Sequence, residues 1–389
     1  MIFKSTHPGS PDVSVVLSGV SVDYTTIQSV TVDMHENMHD MATITFSGLI
    51  PVGITDYIGV PVYISIAAGV RQNVEFFGYV SFIEPLMETR KGLVNNSPVQ
   101  SAVATCMGAS YDMTLPKYRT WEKTTLPQLV EKIATSYGYS YAVPNDSFVW
   151  QRLLQNGISD WDILLKACQA VGYSLTTSAT HIHIYDPYKT IFRQLPYVEL
   201  VTVKGAYGDI QYAPGRIMEF KGLFGNTTLD GIVYNYDFVG LDSTGSVVKA
   251  STNNESYSKY GELVERVNTA EATANVTSQE MLNKFAGAST KTNYPYNATV
   301  VTTGIPDPVP GSVVKIDKYA SNFDGFWLVR GVKHIISRSN YVTELTISTD
   351  STTGKEYETV TVSAFKTPPV PQLSNNQWEA SVDFGDVYV

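Results

Sequence analysis

The groups best suited to chemistry in this chain are its histidines and the acids beside them. His35-Glu36-Asn37-Met38-His39 spells HExxH, which on a helix sets both imidazoles on one side for Zn²⁺ and leaves the glutamate to activate water. No helix is available to carry it. Strand-like VTVDM runs into the pentapeptide and ATITF begins two residues after it, while Glu75 and Glu84, the nearest third-ligand candidates, lie in or beside expected strands. A polar hairpin connection fits better than a peptidase site. His181 and His183 fall on one face of an expected strand, where two imidazoles could share a metal. They lack a third partner, and alternation on a half-buried strand explains them. His334 reads as a hydrogen-bonded strand residue.

Nucleophilic and phosphate chemistry find no local support. The chain contains no GxSxG, no GxxxxGK[ST] and no GxGxxG, so neither a serine triad nor a phosphate loop is indicated. Cys106 and Cys168 are the only cysteines and show no CxxC spacing, which leaves two buried thiols as the simplest reading. Asp160 and Asp162 suit a helix N-terminus, where negative charge meets the dipole. No catalytic residue, cofactor or metal is therefore expected. An enzyme here would need dispersed acids, as in a cell-wall glycosidase, or the HExxH zinc. A carbohydrate-binding module is a third reading, encouraged only by exposed aromatics.

The elements that position these residues follow from composition and period. A length of 389 residues suggests about two to three domains. Charged residues make up 16% and aromatics 12%, with 25 tyrosines, a β-protein palette in which Ser, Thr, Asn and Tyr cover much of the surface. Lys and Arg number 27 against 37 acids, a net charge of −10, and no basic run exceeds Arg90-Lys91. A sequence-specific nucleic-acid binder is thus disfavoured. MIFKSTHPGSPD lacks the apolar stretch of a signal peptide and no run of about 18 apolar residues occurs, so a cytoplasmically made protein without a membrane span is expected.

Short alternating runs from Val13 to Phe82, punctuated by Gly, Pro and Asp, predict antiparallel strands in a small barrel. The period turns helical in TTLPQLVEKIATSYGYSY and again in SDWDILLKACQAVGYSL. Thr125 with Gln128 has capping-box spacing, Ser159 with Asp162 caps the second helix, and Gly138 and Gly172 stand at the stops. Alternation resumes in SLTTSATHIHIYDP with a turn at Ser178-Ala179, and a third helix is expected over 270–288. Four further strand-like runs follow: NATVVTTG, SVVKID, GFWLVRGVKHIIS and YVTELTIS. The expected layout is mainly β with a small α+β insert: a first β-barrel domain over 1–117, the insert over 118–190, a second barrel over 191–353 and an extended tail over 354–389.

This order of pieces resembles the tail hub family of long-tailed phages, which includes late control protein D, baseplate hub proteins and the hub portion of the VgrG spike of type VI secretion. The carrying residues are SDWDILLKACQAVGYSLTTSATHIHIYDP, YGELVERVNTAEATANVTSQEMLNKF and, above all, YNATVVTTGIPDPVPGSVVKIDKYASNFDGFWLVRGVKHIISRSNYVTELTIS. In the last of these, Pro310-Gly311, Asp324-Gly325, Val332 with His334, and Tyr341-Val342-Thr343 fall where the family pattern puts them. The likeness spans roughly 120–350. The chain lacks the long C-terminal needle of the spike type, which favours a phage tail tip or baseplate hub over a secretion spike.

The resemblance implies a non-enzymatic homotrimer with two similar antiparallel barrels per chain, so that three copies present six barrel positions to a hexameric tail tube. It also implies contacts with the tail tube protein and with tail tip or baseplate proteins, at the distal end of the virion tail. A charge-poor, Tyr-rich surface suits permanent contacts, because uncharged groups lose less on desolvation than ions do. If part of the negative charge lines a central channel, passing DNA is repelled from its wall. Trp378, Phe384 and Tyr388 in the tail are the candidate partner-binding residues.

Overall fold

The computed structural model describes residues 11–47, 54–67, 74–88, 99–193, 197–200, 215–224, 235–241, 247–253, 267–271, 283, 294, 296–317, 323–338, 340–349, 372–374 and 377–379. The first β region supplies β1 (Asp12–Leu17), β2 (Val20–Ser21), β3 (Ile27–His35), β4 (Met41–Ser47), β5 (Pro61–Ala67), β6 (Val74–Glu88) and β7 (Val99–Gly108). The period-two pattern does what it predicts: along β3, Val30, Val32 and Met34 are buried, while Thr31, Asp33 and His35 take the other face.

Between β7 and the next strands of that sheet the chain builds the insert. It comprises β8 (Pro116–Thr125), α1 (Leu126–Ser136), β9 (Ser140–Ala142), β10 (Val149–Ser159), α2 (Asp160–Val171), β11 (Ser174–Ser178), β12 (His181–Tyr185) and α3 (Pro187–Arg193). Both expected helices form with their expected ends. Thr125 and Gln128 make the reciprocal capping box. Ser159 Oγ accepts from the Asp162 backbone N–H at 3.0 Å, and Gly172 closes α2 at φ 76°. Leu126, Leu129, Val130, Ile133 and Ala134 of α1 pack with Trp161, Leu164, Cys168 and Val171 of α2 in a core separate from that of the large sheet. The β8–β10 ribbon and α3 are unanticipated. In the ribbon, β-branched Thr124 and Thr125 extend β8 up to the helix, and pairing with β10 holds them there.

The remaining strands are β13 (Tyr197–Leu200), β14 (Ile217–Phe224), β15 (Asn235–Leu241), β16 (Val247–Asn253), β17 (Val267–Glu271), β18 (Tyr296–Thr303), β19 (Val313–Ile316), β20 (Gly325–Ser337), β21 (Asn340–Thr349), β22 (Gln372–Ser374) and β23 (Gln377–Glu379). The helix expected over 270–288 needs correction at its start. Ala270 and Glu271 end β17, which pairs in parallel with β15, where Thr269 and Val267 favour extended backbone. Asn283 is helical, and the rest of that range lies outside the described residues.

Both β regions are present, and they share one sheet of 13 strands with the order β14-β18-β21-β20-β3-β4-β7-β6-β5-β1-β2; β19 lies beside β20 and β13 beside β19. The two sets meet where β20 pairs antiparallel with β3, from Gly331 opposite His35 to Ser337 opposite Ser29. One hydrophobic core runs beneath both, from Val13 through Ile44 and Phe76 to Trp327 and Ile347.

The sets repeat one another. Strand order β3-β4-β7-β6-β5-β1 in the first matches β14-β18-β21-β20-β19-β13 in the second. The bulges match as well: β3 and β14 each shift register against their neighbour at their second residue, Gln28 and Met218. In the same way β6 and β20 shift at Ser81 and Arg330. Bulges set local twist and strand aim, so their recurrence marks one architecture used twice. The repeat departs from itself at its last member, since β1 runs antiparallel to β5 and β13 parallel to β19. No helix among the described residues is long and apolar enough to cross a membrane.

Candidate assembly surface and the turn that braces it

HExxH forms the end of β3 and the β3–β4 turn, and each of its polar groups is used in packing. Asn37 takes φ 61°, a left-handed conformation Asn tolerates. Its backbone N–H donates to the Leu175 carbonyl at 2.6 Å, and its Oδ1 accepts from the Leu175 N–H at 3.0 Å. His39 Nδ1 lies 2.9 Å from Ser110 Oγ, and its ring packs on Trp161 at 4.1 Å between centroids. Burial lowers its pKa to about 4, although Asp162 pulls the other way. His35 instead turns its Nε2 to Asp33 Oδ1 at 2.9 Å, which raises its pKa. Two imidazoles engaged in different directions do not converge on one ion.

Glu36 is the centre of the brace. Its carboxylate receives Arg330 of β20 through Nε at 3.0 Å and Nη1 at 3.1 Å, and the Tyr185 hydroxyl of β12 donates to it at 2.6 Å. A fork of this kind is stronger and more directional than a single contact. Burial and the adjacent Glu36 charge together push the Tyr185 phenol up. Beside it Asp40 is buried, accepts from Thr177 Oγ1 at 3.2 Å, and gives its backbone carbonyl to the Gly108 N–H at 2.8 Å. Burial holds its carboxyl well above the usual range. One turn thereby ties the first strand set, the insert and the second strand set together.

The other candidates are placed plainly. His181 Nδ1 lies 2.8 Å from Ser140 Oγ, and the His183 ring stacks on Tyr185. Burial drives both imidazoles down to about 4. His334 is fully buried with Nδ1 3.0 Å from the Tyr341 hydroxyl. Cys106 and Cys168 are buried thiols, and burial raises them, the first to about 12. Among the described residues no group of three or more His, Cys, Asp or Glu could hold a metal. Trp378 lies in β23, paired with Leu373 of β22, whereas Phe384 and Tyr388 lie outside the described residues.

What the sheet offers to a neighbour is its outward face. Register places Phe82, Thr105, Thr43, Thr31, Ile335 and Val342 in one row across six strands, with no charge among them. The next row holds Met107 and Met41, then Asp33, Lys333 and Glu344. Phe82, Met41 and Ile335 are exposed. Hydroxyl, thioether and apolar groups thus dominate the first set, and ions begin where the second set joins it. Sequence reasoning anticipated the turn but not its partners; an arginine inside GFWLVRGVKHIIS was the one signal that an apolar strand carries a buried ion pair.

No protein-family model matches the sequence, and no curated protein matches it. Solved structures do match in fold. The tail protein from Neisseria meningitidis MC58 is 14% identical with a TM-score of 0.65, over 88% of this chain and 97% of that one. The 43 kDa tail protein of prophage MuSo2 from Shewanella oneidensis gives 13% identity and a TM-score of 0.63, over 88% and 99%. The E. coli c3393 protein, described as a component of the type VI secretion system with structural similarity to T4 bacteriophage tail proteins gp27 and gp5, gives 12% identity and a TM-score of 0.55, over 92% and 82%. The chain therefore has the fold of phage tail proteins and of a type VI secretion component, over nearly its whole length.

Proposed function

We propose that this chain is a structural tail hub, a homotrimer that adapts a hexameric tail tube to the threefold parts of a tail tip or baseplate. The observation that carries this reading is the doubled strand set with matching bulges. A chain holding two equivalent units supplies six positions from three copies, and heterologous head-to-tail contacts that close make a ring. The fold shared with phage tail proteins supports the same role, as does an outward face poor in charge. The function is assembly, not catalysis. It is exercised at the distal end of the virion tail.

In this reading the tube protein stacks on the ring of strand sets, and the insert and tail meet other tail proteins. Trp378, Phe384 and Tyr388 are the residues assigned to contact with a central spike or fibre. The net charge of −10 keeps DNA from adhering to the channel wall.

Light scattering of the purified chain tests the central claim. A mass three times that of the 42.8 kDa chain is expected, and a monomer at micromolar concentration contradicts it. For the tail, deletion beyond Pro371 is expected to abolish co-purification with the spike or fibre protein. Unchanged co-purification removes that assignment.

A further inference from the structure

The internal repeat leaves two strand edges that correspond to a joint the chain already makes with itself. On the side away from β21, β20 is covered by β19 over Gly325–Leu328 and by β3 over Gly331–Ser337. Its counterpart β6 is covered by β5 over Val74–Tyr79. Among the described residues no strand lies beside the remainder of β6 on that side. At the opposite end of the repeat, β3 pairs with both β4 and β20, while its counterpart β14 pairs, among the described residues, with β18 alone.

We propose that these two edges belong together. β14 of a second copy of this chain pairs antiparallel with the last part of β6, repeating between chains the β3–β20 joint within the chain. The inference rests on the ring reading and specifies the contact that closes the ring.

The bulges fix the register. Aligning Ser81 with Arg330 and Gln28 with Met218 carries the pairing of Lys333 with Asp33 onto Glu84 and Leu223 of the second copy. The same shift sets Ile83 opposite Phe224, Leu86 opposite Lys221 and Glu88 opposite Glu219. Both faces then agree with the existing joint. Val332 and Val30 are buried in the β3–β20 joint; their counterparts Ile83 and Phe220 already pack against the same core. On the outer face Lys221, 71% exposed and 2.9 Å from Glu219 of its own strand, comes diagonal to Glu84 and Glu88, and these opposite charges offset the like charges of the directly opposed Glu88 and Glu219. Leu223 and Met218, each about half exposed on the β14 edge, leave water or approach a neighbour. Pro85 lacks an N–H, so it costs the new ladder at most one bond. An uncovered edge with exposed apolar side chains is otherwise a template for aggregation.

Paired cysteines test the register in the full chain, because both native cysteines are buried. Directly opposed residues in an antiparallel pair lie about 4.5–5.5 Å apart at Cα, within disulfide reach. The E84C/L223C double variant is expected to give covalent dimers and trimers on a non-reducing gel after mild oxidation, and the offset pair E84C/E219C is not. A trimer by light scattering without those cross-links overturns the joint and leaves the ring standing. A monomer overturns both. Cross-links in the offset pair alone overturn the register. Independently, Lys221→Glu is expected to weaken trimer association about tenfold, from two reversed diagonal contacts, with recovery in K221E/E84K; an unchanged association constant counts against the joint.

Discussion

Glu36 and Arg330, 294 residues apart in the chain, meet as a forked ion pair with contacts of 3.0 and 3.1 Å. The two side chains are only 11% and 19% exposed, and the Tyr185 hydroxyl completes the carboxylate's partners. Removing the cation strands a mostly buried negative charge. Arg330→Met is therefore expected to lower stability by about 3 kcal/mol, read as a shift in the denaturant midpoint. Replacing both residues with Met and Leu is expected to cost less than the single change.

Acid weakens the fold through the histidines whose pKa values burial lowers, whereas His35, raised by Asp33, works the other way. His39 and His181 have their pKa values lowered to about 4, and His334 to about 3, in each case chiefly by burial. Unfolded histidine titrates near about 6.5, so below that pH the unfolded chain binds more protons than the folded one. The stability they contribute is complete above the unfolded value and falls as pH drops towards 4. Asp40 works in the opposite sense, since its raised pKa keeps the folded carboxyl protonated where the unfolded one is ionised. Thermal midpoints measured from pH 7.5 to 4.5 are expected to fall, and to fall more steeply in Asp40→Asn.

Two glycines are expected to separate crowding from backbone strain. At Gly78 an added Cβ runs into the Met107 carbonyl of the facing strand, and a paired backbone cannot give way. Gly78→Ala is expected to cost about 3 kcal/mol. Gly138 has φ 70° with nothing within 4 Å of an added Cβ, so alanine there meets only the left-handed penalty, about 1 kcal/mol. Equilibrium unfolding of the two variants side by side distinguishes them.

The cap of α2 offers a smaller measurement. Ser159→Ala removes the acceptor for the Asp162 N–H and is expected to cost about 1 kcal/mol. Circular dichroism melting suffices to detect it. A larger loss indicates that the adjacent Asp160, which is buried and holds Lys117, Gln155 and Tyr137, has moved with the cap.

Local signals were legible and distant ones were not. The Thr125-Gln128 box, the Ser159 cap, the glycine stops and the turn after Ser178 rest on contacts within a few residues, which a sequence displays directly. HExxH was readable as a connection because strands crowd it on both sides. Its partners Tyr185 and Arg330 come from far along the chain, and nothing in their own neighbourhoods announces the meeting. The same holds for the β3–β20 pairing, which fuses two expected barrels into one sheet. Short-range period predicts β strands but leaves their neighbours open. The start of the third expected helix failed because Val267, Thr269 and their parallel pairing outweigh the helical preference of Ala270 and Glu271.

The joining of β3 to β20 also has a temporal side. A ribosome adding roughly 5–20 residues per second completes β3 some tens of seconds before the strand that covers it emerges, given a separation of about 300 residues. Throughout that interval the newborn first half holds an open backbone edge, tempered on its outer face by Ser29, Thr31 and Asp33. Synthesis, more than the finished molecule, is then the stage at which this polypeptide is most exposed to misassociation, and co-translational chaperone occupancy should peak before residue 337 leaves the exit tunnel.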